Sequence, residues 1–235
     1  MVLFYASQVS GDFIELSGEE SKHCTATLRM GEGDIVHVTD GKGYFYKCEI
    51  LSAKKGKPVQ VTILEKTSQT DSRNYRLHIA IAPTKNLARF EWFLEKAVEI
   101  GIDEITPLIS EHSERKTIRA DRLEKITIAA MKQSLKAMLP VLNPAIRLNN
   151  FLERDFKGYQ LFAGYCGLGS ELLKLHYKAG HNAVFLIGPE GDFSHNEIKV
   201  AASKGFVPVS FGNSRMRTET AGIVACHSIY LLNQL

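Results

Sequence analysis

The sequence predicts a small β-barrel at the amino terminus, followed by an α/β domain with a mainly parallel sheet. Three observations carry this. Up to about residue 65, apolar residues alternate in short runs separated by turn residues, the pattern of strands in a small barrel. The stretch 66–74 (KTSQTDSRN) is polar, has no apolar period and reads as a linker. Beyond it strand-like and helix-like runs alternate, and 183–187 is wholly apolar, as a parallel strand covered on both faces is. The two domains are therefore expected at 1–70 and 74–235.

In the first domain, residues 13–16, 35–38, 44–51 and 59–63 alternate as strands, and Asp40-Gly41 marks a hairpin. Ser17, with Glu20 three residues on, fits the cap of a short helix. In the second, 77–81 forms a strand that stops at Pro83. Leu87, Phe90, Leu94, Ala97 and Val98 fall on one helical face closed by Gly101. Trp92, in the same helix, is assigned to the core. Residues 104–109 form the next strand. Asp121 and Glu124 open a long helix whose Leu123, Ile126, Ala130 and Leu135 face inward, and Pro140 ends it. A strand at 160–163 leads into a glycine-bearing turn at 164–169. Ser194 and Glu197 open a helix closed by Gly205, 207–211 is the last strand, and 218–232 the last helix.

Composition narrows the class without naming it. The chain has 235 residues, 44% hydrophobic and 23% charged, as an ordinary globular protein has. No apolar run approaches the ~20 residues of a membrane span, and the first residues turn polar too early for a signal sequence, so a cytoplasmic location is expected. Cys24, Cys48, Cys166 and Cys226 are scattered and expected to be reduced, and no His or Cys spacing suggests a metal site. A net charge of +3 permits an RNA partner but does not argue for one.

Two segments could carry chemistry, and both follow the carboxyl end of a strand, where open α/β sheets bind ligands. The first comprises Leu186, Ile187, Gly188, Pro189, Glu190, Gly191, Asp192, Phe193 and Ser194. Its two glycines let backbone approach a ligand such as an adenine or a ribose, though the same residues also suit a plain tight turn before a capped helix. The second runs from Phe211 and Gly212 through Arg215, Met216 and Arg217 to Thr218, Glu219, Thr220 and Ala221. Its arginines can reach phosphates or a base edge, and its end is a helix start, where anions are favoured. Glu219 is open between a dipole-held carboxylate and a catalytic one. There is no triphosphate loop and no serine-hydrolase elbow.

Together these segments resemble the signature of the bacterial 16S (small-subunit) ribosomal RNA uridine-N3 methyltransferase family, within the knotted SPOUT superfamily. The matching runs are VFLIGPEGDFSxxE from Val184 to Glu197 and SFGxxxMRTETA from Ser210 to Ala221. His23, Leu28-Arg29-Met30 and Gly33-Asp34 are similar to its amino-terminal RNA-binding motif. Lys96 to Gly101 with Pro107, and Gln133-Ser134 with Pro140, resemble its central signatures. Asp192 stands where the family usually has glycine, Ser214-Arg215-Met216-Arg217 where it has Arg-Ile-Leu-Arg, and Lys132 and Lys136 replace an acidic residue and an arginine.

The resemblance implies a PUA-like amino-terminal barrel, a trefoil knot in the carboxyl-terminal sheet and a homodimer. It implies S-adenosyl-L-methionine held by Leu186, Ile187, Gly188, Pro189, Glu190, Gly191, Phe211, Gly212, Met216, Arg217, Thr220 and Ala221. Arg217 and Glu219 are the catalytic candidates. Arg217 would orient the uracil or stabilise its developing charge; it is no base, because guanidinium keeps its proton in proteins. His23, Arg29, Met30, Lys85, His112 and Arg115 are the RNA-binding candidates. Two rivals stand beside this reading: a non-catalytic RNA-binding protein that retains the cofactor fold, and a metabolic α/β enzyme using another adenine nucleotide.

Overall fold

The computed structural model describes residues 2–54, 56–69, 73–167 and 170–234. Residues 70–72 of the expected linker, and Leu168 and Gly169 of the expected glycine-bearing turn, lie outside them. Two compact units result. One is Met1–Ser72 with Ile128–Leu139; the other is Arg73–Thr127 with Pro140–Leu235.

The first unit is a five-stranded sheet of β1 (Leu3–Tyr5), β2 (Phe13–Glu15), β3 (Ile35–Thr39), β4 (Tyr44–Ser52) and β5 (Gln60–Ser68), ordered β1-β3-β4-β5-β2. β1 runs parallel to β3; the other neighbours are antiparallel. Phe4 from one outer strand and Ile14 from the other enter the same core as Val36, Val38, Cys48 and Val61, so the sheet curls around a single apolar centre. β5 runs past Ile63 to Ser68, into the stretch read as linker. Its polar side chains satisfy a solvent face while its backbone pairs with β4, and Lys66 Nζ sits 3.9 Å over the Tyr44 ring. The Asp40-Gly41 hairpin forms as expected: Asp40 Oδ1 accepts from the amides of Lys42 and Tyr44 at 2.8 and 3.3 Å.

Between β2 and β3, α1 (Gly18–Lys22) starts where Ser17 Oγ accepts from the Glu20 amide at 3.3 Å. A single π-helical turn, His23–Thr27, follows directly. Just past its cap residue Leu28, Arg29 has a φ of 58°, which places a non-glycine residue in the left-handed region.

The second unit is an eight-stranded sheet of β6 (Leu77–Ile81), β7 (Glu104–Ile109), β8 (Val141–Leu142), β9 (Ile146–Arg147), β10 (Tyr159–Gly164), β11 (Glu171–Leu172), β12 (Asn182–Ile187) and β13 (Val207–Ser210). Its order is β11-β13-β10-β12-β6-β7-β8, with β9 beside β7, and all its pairings are parallel. Its helices are α2 (Leu87–Ile100), the first half of α3 (Ala120–Gln133, whose residues from Ile128 on belong to the first unit), α4 (Leu148–Leu152), α5 (His195–Ser203) and α6 (Thr218–Leu232). Residues of β12 alternate between faces. Val184 and Leu186 pack with Phe151, Leu152, Ile198 and Ala201 of α4 and α5. The opposite face is covered by α6, which lies against α2 and β6. At α6, a Cβ added to Gly222 would stand 2.7 Å from Phe93 and 2.8 Å from Ile81.

Two sequence expectations fail here for identifiable reasons. Trp92 is 46% exposed rather than core, because the buried face of α2 is Phe90, Phe93, Leu94, Ala97 and Val98 and residue 92 projects away from it. Leu135 is 40% exposed, because α3 ends at Gln133 and Leu135 takes a φ of 52°. The segment after it bonds instead to the β3–β4 hairpin: Gly43 N donates to Ala137 O and Leu139 N to Gly41 O, both at 2.9 Å. Lys132, at the end of α3, pairs with the buried Glu20 of α1 at 2.5 Å.

His78 on β6 is buried against Phe151, with Nε2 2.8 Å from Thr106 Oγ1. Burial pushes its pKa down to about 4, against the opposing pull of Glu104. The fold therefore holds the neutral ring. Its contribution is complete above pH 6.5 and fades as pH falls from 6.5 towards 4. Urea unfolding should register a loss of about 3 kcal/mol across that window, and His78→Asn should flatten this part of the profile. Parallel profiles for the two proteins would contradict the assignment.

Candidate functional site

A cleft of about 800 Å³ opens at the carboxyl ends of β10, β12 and β13. Parallel strands point their carboxyl ends to one edge, so the loops that follow them meet there. Three such loops line the cleft: Gly164, Tyr165, Cys166 and Ser170 after β10; Ile187 to Glu190 and Asp192 after β12; and Phe211 to Thr218 after β13, with Ala221 on α6. Its wall mixes apolar surface (Ile187, Pro189, Phe211, Met216) with the charges of Glu190, Asp192, Arg215 and Arg217. That is the composition expected of a small-molecule site.

The turn after β12 is held from several sides. A Cβ on Gly188 would lie 3.1 Å from the Phe193 amide nitrogen, so the turn closes tightly on itself and a side chain there would push its backbone aside by a few tenths of an ångström. Asp192 has a φ of 61°, a conformation that favours glycine. Aspartate is tolerated because its carboxylate bonds locally: Oδ1 accepts from Phe193 N at 2.7 Å and Oδ2 from Cys166 N at 3.3 Å. The departure from glycine thus links the β12 turn to the β10 loop. The capping box of α5 is complete, Ser194 with Glu197, and Glu197 Oε1 also accepts from the Glu111 amide at 2.8 Å.

Residues expected to touch RNA also brace this turn. Lys85 N donates to Glu190 Oε1 at 3.0 Å, and the Arg115 guanidinium donates to Lys85 O at 2.9 Å. Lys85 Nζ pairs with Glu114 at 2.8 Å. His112 Nδ1 lies 3.2 Å from Gly191 O and 3.0 Å from Asp192 O; these contacts, that to Asp192 foremost, raise its pKa. In the first unit, His23 and Arg29 are exposed around the π-turn, while Met30 is partly buried against the core.

Of the residues expected to bind cofactor, Ile187, Gly188, Pro189, Glu190, Phe211, Gly212, Met216, Arg217 and Ala221 line the cleft. Leu186 is buried in the sheet, and Gly191 and Thr220 flank the lining without being part of it. The two catalytic candidates separate. Arg217, at the cap of α6, is exposed to the cleft. Glu219 is only 5% exposed, faces Arg89 of α2 at 3.7 Å and leaves Oε2 without a hydrogen-bond partner. Tyr165, Cys166 and Ser170 escaped sequence reasoning because pairing of β10 between β12 and β13 brings them in, and no local pattern reports it. Among the described residues no cluster of three His, Cys, Asp or Glu could hold a metal, and no helix is long and apolar enough to cross a membrane.

A parallel sheet with a mixed cleft at its carboxyl edge, in a chain that also carries a separate curled β unit, is the build of a two-unit α/β protein with a small-molecule cleft. The chain belongs to the RNA methyltransferase family: the RNA methyltransferase domain matches residues 71–230, and the RNA methyltransferase PUA domain matches 16–64. It is 28% identical over 226 residues to the ribosomal RNA small subunit methyltransferase E of Synechocystis sp., covering 93% of this chain and 73% of that protein. The crystal structure of a probable rRNA-methyltransferase from Porphyromonas gingivalis superposes with a TM-score of 0.93 at 43% identity, covering 100% and 99% of the two chains. Ribosomal RNA small subunit methyltransferase E from Neisseria gonorrhoeae, solved bound to S-adenosyl methionine, superposes at 0.84 with 26% identity and coverage of 99% and 98%.

Proposed function

We propose that this chain is an S-adenosyl-L-methionine-dependent enzyme that methylates uridine N3 in small-subunit (16S) ribosomal RNA. The observation that carries the reading is the cleft itself, built from both family segments at one sheet edge. Its volume and its apolar-plus-charged wall suit S-adenosylmethionine, which supplies a methyl group on a positively charged sulfur. The turn after β12 and the loop after β13 would grip the cofactor from opposite sides, chiefly through backbone. Tight closure at Gly188 keeps that backbone within reach of a ligand.

Methyl transfer to N3 needs the two reactants in line and the weakly acidic N3–H removed. Arg217 can hold a uracil oxygen and stabilise the negative charge that develops on the ring as the proton leaves. Glu190 and Asp192 are the family-segment carboxylates that line the cleft, whereas Glu219 ties the first turn of α6 towards Arg89. The first unit would grip RNA through His23, Arg29 and Met30. The reading includes a homodimer, a trefoil knot and cytoplasmic work on ribosomal particles, supported by family membership, and its chemistry calls for no metal.

Calorimetry tests the cofactor. S-adenosylmethionine should bind and S-adenosylhomocysteine should compete, with ATP and NAD ineffective; the reverse would favour the metabolic rival. Cofactor binding with no methyl transfer to any ribosomal RNA would favour the non-catalytic rival. Arg29→Ala should weaken RNA binding with cofactor affinity intact, because it removes an exposed guanidinium from the family's RNA-binding motif and leaves the cleft lining untouched. An unchanged RNA dissociation constant would remove Arg29 from the interface.

A further inference from the structure

We infer that His112 is a positioning residue for the cofactor turn, and that its imidazole serves the cleft rather than the RNA. The inference rests on the cofactor reading of the cleft. It begins from two oxygens: Nδ1 of His112 stands 3.2 Å from the carbonyl of Gly191 and 3.0 Å from that of Asp192. A carbonyl oxygen can only accept, so Nδ1 carries a proton and donates to both. The two peptides it holds flank the left-handed Asp192. That residue's carboxylate in turn receives the amide of Cys166, from the loop after the neighbouring strand β10. Contact is close enough that a Cβ on Gly191 would lie 3.2 Å from the Cβ of His112.

The loop carrying His112 is anchored independently. The Glu111 amide bonds to Glu197 Oε1 of the α5 capping box at 2.8 Å, and Ser110 N bonds to Ser113 Oγ at 2.9 Å. The imidazole is thus presented by a fixed loop to a turn that needs bracing. Glu190, at the other end of the turn, is fixed separately by the Lys85 amide. Loss of the His112 donor frees the 191–192 end, which loosens both the Pro189–Glu190 wall and the Asp192–Cys166 link.

Asparagine can place an amide N–H close to where Nδ1 stands, whereas aspartate of the same shape offers only acceptors to two carbonyls. The test compares His112→Asn with His112→Asp in the full chain. S-adenosylmethionine binding is measured by calorimetry, RNA binding by filter retention, and KM for each substrate. His112→Asp should raise the dissociation constant and KM for S-adenosylmethionine about tenfold, with RNA affinity unchanged, and His112→Asn should restore most of the cofactor affinity. Equal cofactor affinity in wild type and the Asp variant, or a loss confined to RNA binding, would overturn the inference. No cofactor binding by the wild-type protein would instead overturn the reading of the cleft.

Discussion

Replacing Arg217 by alanine is expected to lower methyl transfer by about 10²–10³-fold, the usual consequence of removing one preorganised donor from a developing charge, while cofactor affinity is largely kept. Arg217 sits at the cap of α6 with its side chain on the cleft. Its helix start adds the positive end of a macrodipole to the same region, and that part survives the substitution. The effect should therefore fall on turnover. Single-turnover methylation of ribosomal RNA alongside calorimetry separates the two quantities. A rate within twofold of wild type, measured at saturating cofactor, would take Arg217 out of the chemistry.

The second large effect is on stability. Gly222→Val should destabilise the second unit by about 3 kcal/mol, the upper end of ordinary overpacking. At Gly222 even a Cβ would meet Phe93 at 2.7 Å and Ile81 at 2.8 Å, and both side chains are fully buried, so neither can swing aside. Glycine is retained in mid-helix despite its weak propensity because only hydrogen fits between α6, α2 and β6. Displacement of α6 also moves Thr218 and Ala221, which line the cleft, so cofactor affinity should fall with stability. Gly31→Ala, where nothing lies within 4 Å of an added Cβ, is the control and should be near neutral. Urea unfolding distinguishes the two; a Gly222→Val protein as stable as the control would contradict the packing account.

Much of this architecture was legible because its signals are local. α6 spans 218–232 as its pattern indicates, and Ser194 with Glu197 announces α5 by a capping box that the side chains complete. The wholly apolar run 183–187 of β12 reads as a strand covered on both faces, and it is one. What escaped is non-local. β8, β9 and β11 are two residues each, too short for any period. Leu135 continues the apolar stripe of α3, yet the chain leaves the helix to hydrogen-bond a hairpin some 95 residues earlier in sequence. Trp92 carried no warning beyond its angular position on α2.

The site divides in the same way. Gly188 to Glu190 and Phe211 to Arg217 stand out because glycines and arginines cluster just after strands. Their meeting in one cleft follows from the order β13-β10-β12, which no single segment encodes. In sequence Glu219 is open between a dipole-held helix-start carboxylate and a catalytic partner of Arg217. One step of 200° around the helix start is enough to send one side chain to the cleft and the other into the protein beside Arg89. His112 and Arg115 are legible in sequence only as RNA-binding candidates; their hydrogen bonds to the Gly191, Asp192 and Lys85 carbonyls appear only once β6, β7 and β12 are placed side by side.

The most direct measurement is methyl incorporation from labelled S-adenosylmethionine into small ribosomal subunits that lack modifications, followed by mass analysis of the nucleosides. N3-methyluridine as the labelled product is the result this account predicts. A different methylated nucleoside, or no incorporation while the cofactor still binds, would contradict it.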